Sequence, residues 1–312
     1  MSSYKLDRRE VTTNQPTTTD IVRAIQTSRY RMEQEVAIII ESLGFQVETH
    51  RAFEDQAEFK SREIDVWASK RFYMNEEHNY TVTIQILCEC KNNSSPYVFL
   101  MAPKNERERT FMDPSEFLFP IQNVNRILSR EPDGRPNKCE QLPAFMHLNL
   151  ASNHYYYSQE QKVIQICKIV RKGQSWEANH AGICNSIFYP IVKAVQARQH
   201  ETSDWFKCIN NRDLNFTDSK IISLFFPLVV LSGEIYTLDF LDSQAMPQPS
   251  SNVTFVRELR SKTCCGKYGV DFVKLSGLKD FIESKIIPFA EAVTLKTQHS
   301  PYDFLTRAVD AK

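Results

Sequence analysis

Glycine is scarce in this sequence, at 8 residues of 312, and no segment repeats. Repeat arrays and glycine-rich low-complexity architectures are therefore excluded. Long apolar runs are missing too. The longest stretch, residues 221–231, is interrupted by Pro227 and falls well short of the roughly 18 apolar residues that span a bilayer, so no membrane partner is expected. The polar segment 1–20 has no apolar h-region, and no secretory signal is expected. Charge of one sign is absent: 38 basic side chains face 38 acidic ones. That balance argues against coating nucleic acid through bulk charge, but leaves room for a local basic patch. The 8 cysteines include no C-x-x-C pair and no zinc-finger spacing. A reducing, cytoplasmic location is expected.

What is there suits an ordinary globular chain. Hydrophobic residues make up 42% and charged residues 24%, enough for a core without disulfide staples. Residues 27–43 have helical spacing, with Thr27 or Ser28 as N-cap and Gly44 as the terminating glycine. The period then changes to two through Phe45, Val47 and Thr49. Residues 62–68 predict a second strand, 75–79 a polar turn, and 80–91 a long strand rich in β-branched residues. Helices are expected over 116–128, 158–171, 181–198 and 278–293. Residues 222–231 predict a strand buried on both faces. A short partner at 234–241 is expected to pair with it across Ser232-Gly233. Strands are predicted at 253–260 and 268–275.

Four side chains on these elements carry a possible chemistry. In Glu89-Cys90-Lys91, the two charged residues face one side of a strand while Cys88 and Cys90 face the other. A carboxylate beside an ammonium at the end of an apolar strand suits a hard cation next to a scissile phosphate. Asp65 lies on the preceding strand, sharing a face with Glu63 and Trp67, while Ile64 and Val66 face away. Two convergent carboxylates gain by sharing a divalent cation. Glu33 aligns with Val36, Ala37 and Ile40 on the buried face of the first helix, where an isolated charge would be costly. Glu35 and Glu41 fall on solvated faces. His147, His154 and His180 lack metal-ligand spacing and are not assigned to the chemistry.

This combination resembles a known family. Met32-Glu33-Gln34-Glu35-Val36-Ala37 closing with Leu43-Gly44-Phe45, then Arg62-Glu63-Ile64-Asp65-Val66, then Cys88-Glu89-Cys90-Lys91-Asn92, resembles Mrr-type catalytic domains of the PD-(D/E)XK nuclease superfamily. The likeness covers residues 28–93, about a fifth of the chain. The Pro of the PD pair is replaced by Ile64.

The resemblance implies an α/β restriction-endonuclease-like core of helix, three-strand meander, helix and further strands, with a large mid-chain insertion. The expected organisation is a flexible arm at 1–20, core at 21–93, a mixed helical insertion at 94–180, and core again at 181–312. It further implies a magnesium-dependent endodeoxyribonuclease, with Mn²⁺ as a substitute, in a restriction or defence setting. Asp65, Glu89 and the Cys90 carbonyl would ligate Mg²⁺, Glu33 would act through a bound water, and Lys91 would orient or deprotonate the attacking water. DNA is the expected partner. Cutting both strands usually takes two active sites, so either a homodimer or a partner chain for specificity is a candidate partner, with the oligomeric state open. The alternative is an inactive nuclease-fold module that binds nucleic acid or protein. Basic clusters at Lys60/Arg62, Lys70/Arg71, Lys104/Arg107/Arg109 and Lys168/Arg171/Lys172 are candidate phosphate contacts, each weighed against a solvated charged face. Tyr155, Tyr156 and Tyr157 are candidate base-stacking residues, with packing the favoured role.

Overall fold

A computed structural model of the chain describes residues 15–26, 28–75, 80–92, 94–110, 123–133, 136–143, 149–210, 220–261 and 264–299. It begins with α1 (Thr18–Gln26) and α2 (Arg29–Ser42), followed by β1 (Gln46–Asp55), β2 (Lys60–Asn75) and β3 (Tyr80–Lys91). Next come β4 (Tyr97–Pro103), α3 (Glu106–Thr110), β5 (Asn123–Arg130), β6 (Pro136–Pro143) and α4 (Leu150–Asn153). Then follow β7 (Gln161–Lys172), β8 (Ser175–Asn179) and α5 (Tyr189–Asn210), the last entered through a wide π turn at Cys184–Phe188. The chain closes with β9 (Lys220–Leu231), β10 (Ile235–Asp239), β11 (Gln248–Ser250), β12 (Asn252–Arg260), β13 (Cys265–Lys274), α6 (Leu278–Phe281) and α7 (Ile287–His299). The class is α/β with mixed sheets. Among the described residues, no helix is long and apolar enough to cross a membrane.

α2 stops where the sequence says it must. Gly44 has φ +78 and its N–H donates to the Glu41 carbonyl at 2.8 Å, so a residue without Cβ closes the last turn. A six-stranded sheet runs β1-β2-β3-β9-β13-β12. β1, β2 and β3 form an antiparallel meander, and β9 lies parallel to β3 along its whole length. β9 is central, and its apolar run divides between two cores. Leu224, Phe226, Leu228 and Val230 enter the first, with α2, α6 and α7. Phe225, Val229 and Leu231 enter the second, with α5. Burial on both faces explains a strand without polar alternation.

A five-stranded sheet runs β11-β10-β4-β7-β8. β4 and β10 are parallel neighbours in it, as β3 and β9 are in the first sheet. Two adjacent parallel strands thus leave one sheet together and re-form a pair in the other. Ser232 N–H still reaches the Lys91 carbonyl at 3.3 Å at this crossing, and Tyr97 N–H reaches the Glu234 carbonyl at 2.9 Å. The end of β3 stands at the junction.

Three expectations are corrected here. The segment 158–171 is not a helix but β7. In its pairing with β4, Ile164 is skipped between Val163 and Gln165. That bulge puts Val163 and Ile166 into the same core, a spacing of three that imitates a helical stripe. The expected helix at 116–128 lies partly outside the described residues, and its remainder is β5. Among its described residues, the segment expected to be a mixed helical insertion, 94–180, is strand-rich, and its β4, β7 and β8 share a sheet with β10 and β11. Lastly, β10 does not fold back on β9 across Ser232-Gly233; it pairs with β4 and β11. The expected arm at 1–20 and turn at 75–79 fall mostly outside the described residues, although α1 already begins at Thr18.

Candidate functional site

Glu33, Asp65 and Glu89 are all buried, at 1%, 4% and 7% exposure, which is uncommon for carboxylates and demands compensation. Glu33 sits among Met32, Val36, Ala37 and Ile40 on the face of α2 that joins the first core, as its spacing predicts. Its Oε2 lies 3.3 Å from Nε2 of His50. Glu35 and Glu41 are exposed, also as expected.

Asp65 departs from regular alternation. Val66 packs in the first core, while Ile64 joins Trp67 in the second. The two residues flanking Asp65 thus face opposite sides, correcting the expectation that both turn away from it together. β1 changes face at the same level: Val47 packs on the first core and Phe53 in the second. Between Thr49, which pairs with Val66, and Arg51, which pairs with Ile64, His50 takes a left-handed backbone with φ +53. At this kink Asp65 reaches across to β3, and its Oδ2 accepts the backbone N–H of Cys90 at 2.7 Å.

Glu89 and Lys91 do share a face. Lys91 Nζ donates to Glu89 Oε1 at 2.6 Å, with the lysine side chain 20% exposed. Cys88 and Cys90 are fully buried on the first-core side, as the alternation predicts. The Cys90 thiol is pushed well above its ordinary value, first by burial, then by Cys88, Asp65, Glu33 and Glu89. Three carboxylates from three elements therefore act electrostatically on the residue between Glu89 and Lys91. Among the described residues, no three His, Cys, Asp or Glu side chains form a ready-made cage for a metal ion. The expected donors are two carboxylates and the Cys90 carbonyl, an all-oxygen set suited to a hard cation and not dependent on a third side chain.

Most of the other candidates have structural duties. Arg62 is held by Asp55 and Glu58, and Lys172 lies 3.4 Å from Glu177. Lys70 donates to the Leu43 carbonyl, and Lys104 is buried against the Tyr156 ring and carbonyl. The Tyr155 hydroxyl donates to Asp271 and Tyr157 is buried, so these rings pack rather than wait for bases. His154 is buried among Tyr155, Tyr157 and Phe289, His180 is exposed, and His147 lies outside the described residues. Two groupings escaped the sequence. One is His50 against Glu33. The other is buried Asp55, which takes Arg62 and Lys193 together at 2.5 and 2.7 Å. Neither has a local signal, because their partners lie on other elements.

Comparison with protein-family models, curated proteins and solved structures finds no match in any of the three.

Proposed function

We propose that this chain is a Mg²⁺-dependent endonuclease that hydrolyses phosphodiester bonds in DNA, on a restriction-endonuclease-like core. Support comes from the order α2, β1, β2, β3, α5, β9, with β9 parallel beside β3. The observation that carries the proposal is the Asp65 carboxylate resting on the Cys90 N–H, between Glu89 and Lys91. Asp65, Glu89 and the Cys90 carbonyl would hold the ion, which supplies Lewis-acid activation of water and phosphate. Lys91 would leave Glu89 for the scissile phosphate, orient the attacking water and offset the developing negative charge. Glu33 would accept a hydrogen bond from that water. The water oxygen bonds to phosphorus, one P–O ester bond breaks, and the leaving sugar oxygen takes up a proton.

A second reading is a nuclease-fold binding module without catalysis, favoured by the closed Lys91–Glu89 pair. One experiment separates them. The purified chain is incubated with supercoiled plasmid in Mg²⁺, in Mn²⁺ and in EDTA, beside Lys91→Ala. Metal-dependent nicking lost in the variant supports the enzyme. DNA binding without cleavage under every condition supports the module, and cleavage equal in wild type and variant removes this site from the chemistry. Cleavage of RNA alone would keep the chemistry and overturn the substrate.

A further inference from the structure

His50 stands out because its backbone and side chain pull in different directions. A non-glycine residue with φ +53 inside a strand costs about 1–2 kcal/mol. The fold needs a break at this level, because β1 and β2 both change the face they present to the cores here. It does not need an imidazole for that purpose; glycine would adopt the same backbone at no steric cost. What histidine adds is its ring. Nε2 is 3.3 Å from Oε2 of buried Glu33, Nδ1 is 3.9 Å from Oε2 of exposed Glu63, and the Tyr30 ring meets it edge-on at a centroid distance of 6.1 Å. Each ring nitrogen thus faces a carboxylate, one on α2 and one on β2. Backbone strain held by such contacts is characteristic of functional positions.

We infer that His50 is a positioning residue that fixes the orientation of the Glu33 carboxylate toward the Cys90 end of β3, an inference resting on the nuclease reading of this site. Glu33 is the helix-borne member of the group, on α2. The His50 side chain, 38% exposed, lies against the Glu33 side chain, which is 2% exposed. Fixing that carboxylate places the acceptor for the attacking water without ordering it anew at each turnover.

The test uses the full chain as wild type, His50→Gly and His50→Asn. It reads thermal stability, Mn²⁺ affinity by electron paramagnetic resonance, and plasmid cleavage. Glycine relieves the backbone, so His50→Gly should be at least as stable as wild type. It should nevertheless lose about tenfold in Mn²⁺ affinity or in kcat, with KM for DNA unchanged. Asparagine tolerates the left-handed backbone and carries an amide donor, so His50→Asn should recover most of the loss. A glycine variant with wild-type affinity and rate overturns the inference, and so does an asparagine variant as impaired as glycine. If wild type itself neither binds Mn²⁺ nor cleaves, the nuclease reading fails and the role of His50 falls with it, an outcome visible before any variant is compared.

Discussion

The Asp65 carboxylate accepts the Cys90 N–H at 2.7 Å, just past the last backbone pairing of their strands at Val66 and Cys88. A side chain thus takes over where the β2–β3 ladder ends. The same carboxylate would hold a cation, so Asp65 has a structural duty and a proposed chemical one. They can be separated. Asp65→Asn keeps an oxygen for the Cys90 N–H and should cost about 1 kcal/mol or less, whereas Asp65→Ala strands a buried donor and should cost about 1–3 kcal/mol. Both should lose cleavage. Urea unfolding and plasmid nicking measure the two effects, and an asparagine variant that cuts at the wild-type rate would sink the metal role.

Under the proposed function, Lys91 and a divalent ion would compete for the Glu89 carboxylate that Lys91 now holds. Lys91→Ala should therefore bind Mn²⁺ at least as tightly as wild type while losing cleavage. In the absence of metal it should lose stability, by about 1 kcal/mol, because Glu89 is left buried without its cation while Lys91 was itself partly solvated. Calorimetric titration decides this. Weaker Mn²⁺ binding in the variant would show that Lys91 assists the ion rather than opposing it.

Two buried groups should tilt stability in opposite directions between pH 4 and 6. Burial raises Asp271 from 3.8 to about 6, against the lowering effect of hydrogen bonds from Thr254 and Tyr155. Its folded form binds the proton more tightly, so its contribution is full below 3.8 and is lost as pH rises through about 6. Burial, with a smaller effect from Lys104, lowers His154 from 6.5 to about 3. Its contribution is full above 6.5 and is lost as pH falls toward 3. Asp271→Asn should lose stability more steeply than wild type on going from pH 6 to 4, and His154→Phe less steeply. Parallel stability–pH curves for wild type and either variant would refute that assignment.

Asp55 ties the β1–β2 hairpin to α5. Burial would raise its carboxyl, but hydrogen bonds from Lys193, Arg62 and the Ala57 N–H prevail and hold it at about 2. That depression is worth about 2 kcal/mol, present above the ordinary 3.8 and lost as pH falls through about 2. Lys193→Met should remove a large part of it at neutral pH, leave Arg62 as the remaining cation on Asp55, and shift acid unfolding to higher pH. A variant whose unfolding midpoint in urea matches wild type would show that Arg62 alone suffices.

Local chemistry was enough to determine the front half of the architecture. Residues 29–42 form a helix ended by Gly44, residues 80–91 form a strand, and period-two spacing sends Glu89 and Lys91 one way and Cys88 and Cys90 the other. The apolar run 222–231 pointed to an interior strand, since apart from Ser223 and Pro227 it offers only apolar side chains to either face. Tertiary structure decided what depends on a partner far along the chain. The face change at Asp65 coincides with the break in β1 opposite it at His50, and the helix-like stripe of β7 comes from a bulge in its pairing with β4. β10 gives its backbone hydrogen bonds to β4 and β11 in the second sheet rather than to β9. Periodicity reports which residues want burial; the pairing of N–H and C=O groups, which is non-local, decides where they find it.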